Sequence, residues 1–366
     1  MMMAHKGQLI FSIFFLLVIF GVPLSQAAIE ICDGHIPGIL TFFTHAPTQA
    51  NLRTSEKELE SASVPARIVR PWMQRFWLQA LGNAGDKALV GRDGWLFYAP
   101  DVRYLVESDG KEKGPFQAIL QFRDQLAGRG IRLMILPMPG KPSIYSDELT
   151  HRTIGSSPTQ QLIERLRDAG IETVDLFSLF RVCALRGGGY CYLARDTHWS
   201  GAAAQFAAEL VARRLIDIGW VSSGSVDYQV RPVTTPRTGD LTHMINLPGL
   251  ERRFPAEQVL CEQVFRSGTG ELYRDKPDSE ILVLGDSFLR MYQTDQPLAA
   301  GFIAHLARAL KQPVTSIVND GGASTLVRQD LSRRAGLLAN KKTVIWEFVE
   351  RDIRFGMEGW KDVSLP

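Results

Sequence analysis

The sequence predicts an α/β protein: a mostly parallel sheet with helices on both faces, an α/β/α sandwich. Three observations predict it. Short apolar runs bounded by chain breakers read as buried strands. Segments between them carry apolar residues at helical spacing. These segments are long enough for the crossovers that parallel strands require.

The elements follow in order. Residues 28–50 are irregular and dotted with Pro, and 51–81 read as a polar, then amphipathic, helix ending near Gly82. Gly91-Arg92-Asp93-Gly94-Trp95-Leu96-Phe97-Tyr98 reads as a turn into a strand. Residues 132–137 form a buried strand. A helix over 159–169 presents Leu162, Ile163 and Leu166, is stopped by Gly170, and leads to a strand over 171–176. Residues 200–218 form a long helix with Phe206, Leu210, Leu215 and Ile218 on its apolar face and Gly219 as its cap. The alternation continues as a strand over 281–284, a helix over 297–310, a strand over 314–318, a helix over 324–338 and a strand over 343–349. Residues 220–280 break the rhythm and read as an insertion or lid region.

The first 27 residues have their own pattern. His5 and Lys6 precede an apolar run over 9–20, which Gly21 and Pro23 break, and Ser25-Gln26-Ala27 offers small residues for cleavage. This is a signal peptide or an uncleaved signal anchor. Either one places the remainder outside the cytoplasm. The expected organisation is therefore 1–27 as signal or anchor, 28–82 as an N-terminal segment, and 83–366 as the main domain.

The chain has 366 residues, 45% of them hydrophobic and 22% charged, with a formal net charge of +2. That balance contains no basic excess for nucleic acid. Four cysteines, Cys32, Cys183, Cys191 and Cys261, allow three pairings. Cys183 and Cys191 flank the turn Gly187-Gly188-Gly189, which would let them meet; Cys32 would then pair with Cys261, unless all stay free thiols. No C-x-x-C or His-rich cluster offers a metal site.

Two segments carry chemistry. Gly285-Asp286-Ser287-Phe288 directly follows a strand and precedes a helical stretch. A Ser there exposes its hydroxyl at the sheet's carboxyl edge and has a backbone N–H free for a developing oxyanion. Asp196-Thr197-His198-Trp199-Ser200 precedes the long helix. In an extended segment, residues two apart share a face, so Asp196 can orient the His198 imidazole as base for Ser287. The plainer alternative makes Asp286, Ser287, Asp196 and Ser200 helix caps and His198 a surface residue. Four further residues are candidates for oxyanion or substrate binding: Lys141 and Asn319 at strand ends, Arg351 after the last strand, and Tyr292 one turn past Ser287. Trp199 would stack on a sugar or pack in the core.

These motifs, with the Gly91–Phe97 block, resemble the periplasmic alginate O-acetyltransferases of the AlgJ/AlgX type, in the SGNH-hydrolase-like superfamily. The resemblance covers most of 60–355. Its motif order is permuted, with Asp-x-His before the Ser, as in the acetyltransferase branch. Few residues follow 355, which favours the AlgJ type over the type with a carbohydrate-binding domain. The resemblance implies Ser287 as nucleophile, His198 as base and Asp196 as orienter. It also implies a polysaccharide acceptor, a membrane-bound O-acyltransferase as acetyl donor, other acetylation and export proteins as partners, and no bound cofactor. Two other functions fit the same residues: a secreted carbohydrate esterase, and a non-catalytic polysaccharide-binding or scaffold component.

Overall fold

A computed structural model of the chain describes residues 2–37, 85–107, 113–151, 157–185, 191–245, 252–356 and 358–365, plus positions 40, 48, 63, 64, 72, 73 and 155. The Gly187–Gly189 turn lies outside the described residues, as does the expected helix over 51–81 but for four of those positions. The chain divides into two units, Met1–Asn83 and Ala84–Pro366.

In the first unit, helix α1 spans Met2–Cys32. The apolar run was expected to break at Gly21 and Pro23, but the helix continues through both. Pro23 removes one backbone donor, and bonding resumes beyond it. The stretch Phe15–Cys32 is by length and composition apolar enough to cross a membrane.

The strands of the second unit are β1 (Ala88–Val90), β2 (Leu96–Tyr98), β3 (Arg132–Met138), β4 (Glu172–Thr173), β5 (Tyr228–Arg237), β6 (Glu257–Arg266), β7 (Ile281–Gly285), β8 (Thr315–Val318) and β9 (Thr343–Val349). Five of them form one sheet in the order β4-β3-β9-β7-β8. Every pair in it is parallel. The main helices are α2 (Lys113–Ala127), α3 (Thr159–Asp168), α4 (Leu176–Leu185), α5 (Gly201–Asp217), α6 (Phe302–Leu310) and α7 (Leu326–Ser332).

Side-chain alternation divides the core into two layers. Leu133 and Ile135 of β3, Leu282 and Leu284 of β7, and Val344, Trp346 and Phe348 of β9 face a layer closed by α2, α3 and α7. Met134, Leu136, Val283, Ile345 and Val349 face a layer closed by α4, α5 and α6. Helices therefore cover both faces of the sheet, as the sequence predicts.

Several boundaries differ from expectation. Only Glu172 and Thr173 pair in the strand expected over 171–176, because Asp175 accepts from Phe177 N–H at 2.9 Å and starts α4. The helix expected from 297 begins at Phe302, since Leu298 and Ala299 hold φ of 70° and 47°. Helix α5 turns Phe206 outward and buries Ala203, Ala204, Ala207, Ala208, Val211, Ala212 and Leu215. This small-residue stripe lets α6 pack closely against it.

Residues 220–280 hold an antiparallel ribbon of β5 and β6. Pro232 and Pro236 obscure this strand in the sequence; both are tolerated because β5 pairs with β6 alone. Cys183 and Cys191 form a disulfide. Cys32, in the first unit, and Cys261, in the second, are both free thiols. Cys261 is buried in β6, and burial pushes its thiol up to about 12.

Trp346 is fully buried and packs its ring against Phe122, Phe348 and Trp360. Trp346→Ala is expected to lower the unfolding free energy by about 3–5 kcal/mol in urea titration. Thiol titration of the unfolded, unreduced protein is expected to find two reactive groups, Cys32 and Cys261.

Candidate active site

The Ser287 side of the site begins in the sheet. The connections from β3 and β7 leave in opposite directions, to β4 and to β8. In open parallel sheets such a reversal places ligand sites at the strands' carboxyl ends. Ser287 stands there, half-buried, as the first residue of the short helix Ser287–Arg290. Asp286 caps that helix by accepting from Phe288 N–H at 2.9 Å. The capping reading of Asp286 is therefore correct, and it leaves Ser287 Oγ unused by the cap. The turn needs Gly285: a Cβ there would lie 2.3 Å from Glu347 Oε2 and 2.5 Å from Leu289 Cδ1. Glu347 uses that oxygen to accept Asp286 N–H at 3.0 Å. Burial, then the neighbouring Asp286 charge, push the Glu347 carboxyl well above its ordinary value.

The His198 side comes from the connection between α4 and α5. The segment is a closed turn rather than extended chain, with a bridge between Tyr192 and Trp199. Asp196 and His198 meet because Asp196 Oδ1 accepts both His198 N–H at 3.0 Å and His198 Nδ1 at 2.6 Å. His198 Nε2 lies 2.9 Å from Ser287 Oγ. Two segments 89 residues apart thus bring a hydroxyl, an imidazole and a carboxylate into one line. Phe288 packs on the His198 ring at 4.9 Å between centroids.

Asp196 and His198 are both buried. Burial alone would raise the Asp196 pKa, but His198 and Arg237 outweigh it and hold the carboxyl well below the usual range. Burial likewise opposes protonation of His198. The charge and hydrogen bond of Asp196, with Asp240 behind them, outweigh it and push the imidazole above its ordinary value.

Residues that sequence reasoning missed hold this turn. Arg237 Nε donates to Asp196 Oδ2 at 2.8 Å. Asp240 accepts Thr197 N–H at 2.7 Å and Thr197 Oγ–H at 2.5 Å. Glu257 accepts Ala194 N–H at 2.9 Å and Arg195 N–H at 2.8 Å. All three come from the ribbon or its connection. Their one signal in the sequence is Gly239 between Arg237 and Asp240, where a Cβ would lie 1.9 Å from Arg195 O.

The side chains of the four accessory candidates each turn to a partner within the fold. Lys141 is fully buried, and Nζ donates to Leu193 O at 2.9 Å and Ala194 O at 3.1 Å. It supports the His198 turn from beneath, and burial lowers its pKa to about 8. Asn319 Nδ2 donates to Asp330 at 2.6 Å, and its Oδ1 accepts Gly321 N–H, so its amide stabilises a loop. Arg351 donates to Asp101 at 3.0 Å and lies over the Tyr98 ring. Tyr292 is buried and donates to Trp199 O at 3.1 Å. Trp199 is itself a core residue, stacked on Phe302.

Asp196, His198 and Asp240 bring ligating atoms within 4.8 Å of one another. Their donors are already engaged by Arg237, Thr197 and Ser287, and a guanidinium already supplies the positive charge there. The set fits an ion-paired relay better than a metal cage.

The doubly covered parallel sheet and its Ser–His–Asp geometry define an SGNH hydrolase-like α/β protein. The chain belongs to the family described as "SGNH hydrolase-like domain, acetyltransferase AlgX", whose model matches residues 88–350. This makes it an acyltransferase. It is 26% identical over 282 residues to the probable alginate O-acetylase AlgJ of Pseudomonas fluorescens, spanning 74% of this chain and 70% of that one. It is 23% identical to the Pseudomonas aeruginosa AlgJ, over 72% of this chain and 69% of that one. Its fold matches the O-acetyltransferase domain of Pseudomonas putida AlgJ with a TM-score of 0.59 and 22% identity, over 76% of this chain and 94% of that one. Pseudomonas aeruginosa AlgX matches with a TM-score of 0.52 and 19% identity, over 72% of this chain and 62% of that one.

Gly285→Ala is expected to destabilise the protein by about 1–3 kcal/mol in denaturant titration, because the added methyl meets Glu347 and Leu289.

Proposed function

We propose that the chain transfers acetyl groups to hydroxyls of an alginate-type exopolysaccharide through a covalent acetyl–Ser287 ester. The observation that carries this reading is the 2.9 Å approach of Ser287 Oγ to an imidazole held at 2.6 Å by a buried carboxylate. The curated relatives, named as probable alginate O-acetylases, support the polymer class.

In the first half-reaction Ser287 Oγ attacks the acetyl carbonyl carbon while His198 Nε2 takes its proton. The Ser287 N–H, without a helical partner at the helix start, faces the developing oxyanion. The donor oxygen leaves with the proton from His198. In the second half, a sugar hydroxyl gives its proton to His198 and attacks the ester. Ser287 Oγ departs and is reprotonated. Asp196 keeps Nδ1 protonated and stabilises the imidazolium formed in each half. These steps use only the chain's own side chains.

In this reading 83–366 is the transfer domain and 28–82 a segment that precedes it. The apolar helix α1 serves as signal or anchor on the periplasmic side of the inner membrane. The donor is a membrane-bound O-acyltransferase acting with other acetylation and export proteins.

Purified protein given an acetyl ester and an unacetylated oligouronate is expected to yield acetylated sugar. Ser287→Ala and His198→Ala are each expected to reduce this by on the order of 10⁶-fold. Acetate as the only product would make the protein an esterase. Polymer acetylation that survives Ser287→Ala in cells would make it a non-catalytic component.

The pH dependence follows from His198. The neutral imidazole is the base, and its folded pKa lies above the ordinary value. The rate is therefore expected to rise with pH through a midpoint above about 6.5. Asp196, held low, stays ionised across that range.

A further inference from the structure

We infer that Arg237 is a positioning residue of the acyl-transfer centre, fixing the Asp196 carboxylate from the β5–β6 ribbon so that this ribbon is a rigid part of the base. The inference rests on the acyl-transfer reading of Ser287, His198 and Asp196.

The first argument is the hydrogen-bond inventory of Asp196, which has no exposed surface. Oδ1 is used by His198 Nδ1 and His198 N–H. Oδ2 is used by Arg237 Nε at 2.8 Å and by Asp240 N–H at 3.3 Å. Without Arg237 that buried oxygen keeps a single long bond. A carboxylate so released can rotate or tilt, and His198 loses its fixed orientation.

The second argument is the ribbon's grip on the whole turn. Arg237 ends β5 and stands opposite Glu257 in the ladder. Together with Asp240, these two residues hold four consecutive positions, from Ala194 to Thr197. Gly239 packs against the backbone of Arg195 with no room for a side chain. A segment that must swing open could not keep these contacts.

The third argument is continuity toward the nucleophile. Arg237 Nη1 lies 3.7 Å from Asp295. Asp295 pairs with Arg290, which also donates to Asp320 at 2.9 Å. Arg290 ends the helix that Ser287 begins. One guanidinium thus spans Asp196 and Asp295 and ties both halves of the site. An ammonium would supply the charge without this planar fork.

The charges around the imidazole set the direction of the test. His198 faces Asp196 on its own turn, Asp240 from the following connection, Asp286 from the Ser287 turn and Arg237 from β5. Glu257 of β6 and Lys141 face the same cluster, and Asp295, Tyr292 and Cys261 face Arg237. Arg237 is the cation that opposes protonation of His198. Removing its charge weakens the opposition to these carboxylates.

The test is the pH profile of the Ser287-dependent burst from p-nitrophenyl acetate. Arg237→Gln is expected to raise the acid-limb midpoint by about one pH unit and to slow the burst about tenfold below it. Arg237→Lys is expected to restore the midpoint with a lower plateau. In parallel, His198 is titrated by NMR in both variants and assigned by the resonance lost in His198→Gln. An unchanged His198 midpoint in Arg237→Gln, with the rate lowered equally at every pH, overturns the inference and makes Arg237 merely structural. If Arg237→Gln does not fold, Arg237→Lys decides, and a wild-type plateau there overturns it. A wild-type protein without a burst refutes the acyl-transfer reading instead, and the NMR titration still tests Arg237.

Discussion

The arrangement of Ser287, His198 and Asp196 depends on one buried carboxylate having no spare oxygen. Asp196 lies out of water, and a lone charge there would be costly. It is tolerated because an imidazole, a guanidinium and two backbone N–H groups meet it. Each partner is in turn fixed by something larger: His198 by Phe288 and the turn, Arg237 by the ribbon. The orientation of the imidazole toward Ser287 is the end of that chain of constraints.

The Ser287 side works by different means. There, the constraint is steric and lies in the sheet. Gly285 and Glu347 occupy neighbouring strands, β7 and β9, whose parallel pairing brings them into contact. Glu347 and Asp286 sit close together in a dry region where burial raises both carboxyls. A protonated acid can remain there without a counter-ion, and Glu347 can hold the turn through its accepting oxygen. The carboxyls on the two sides are thus shifted in opposite directions. At Asp196 the imidazole and the Arg237 guanidinium outweigh burial, whereas at Asp286 and Glu347 burial outweighs the nearby Arg351.

The sequence made the fold legible because the buried strands are uniformly apolar and their helices strongly periodic. It made Ser287, His198 and Asp196 legible because their spacing around breakers is local. Lys141, Asn319 and Arg351 were placed by their nearness to strand ends, and Tyr292 by its place one turn past Ser287. That rule says where a backbone goes and not where a long side chain points; each one turns inward to a nearer partner. Arg237, Asp240 and Glu257 were illegible for another reason. The two prolines of β5 hide the ribbon's period, and its pairing is long-range. Even the Asp196–His198 contact arises from a local turn that accepts its own backbone N–H, a geometry that pattern reading cannot distinguish from extended chain.

The ribbon's position in the chain has a consequence for biogenesis. The ribbon groups that immobilise residues 194–197 lie 41 to 63 positions downstream, and Ser287 lies 89 beyond His198. As the polypeptide emerges from its N-terminus, the imidazole is exposed long before its restraints exist. Loop closure over such separations comes late in folding. A nascent or truncated chain therefore carries a histidine and an aspartate with no defined relation and no nucleophile beside them. The three side chains come together only once the chain has been made as far as β7 and the turn that follows it.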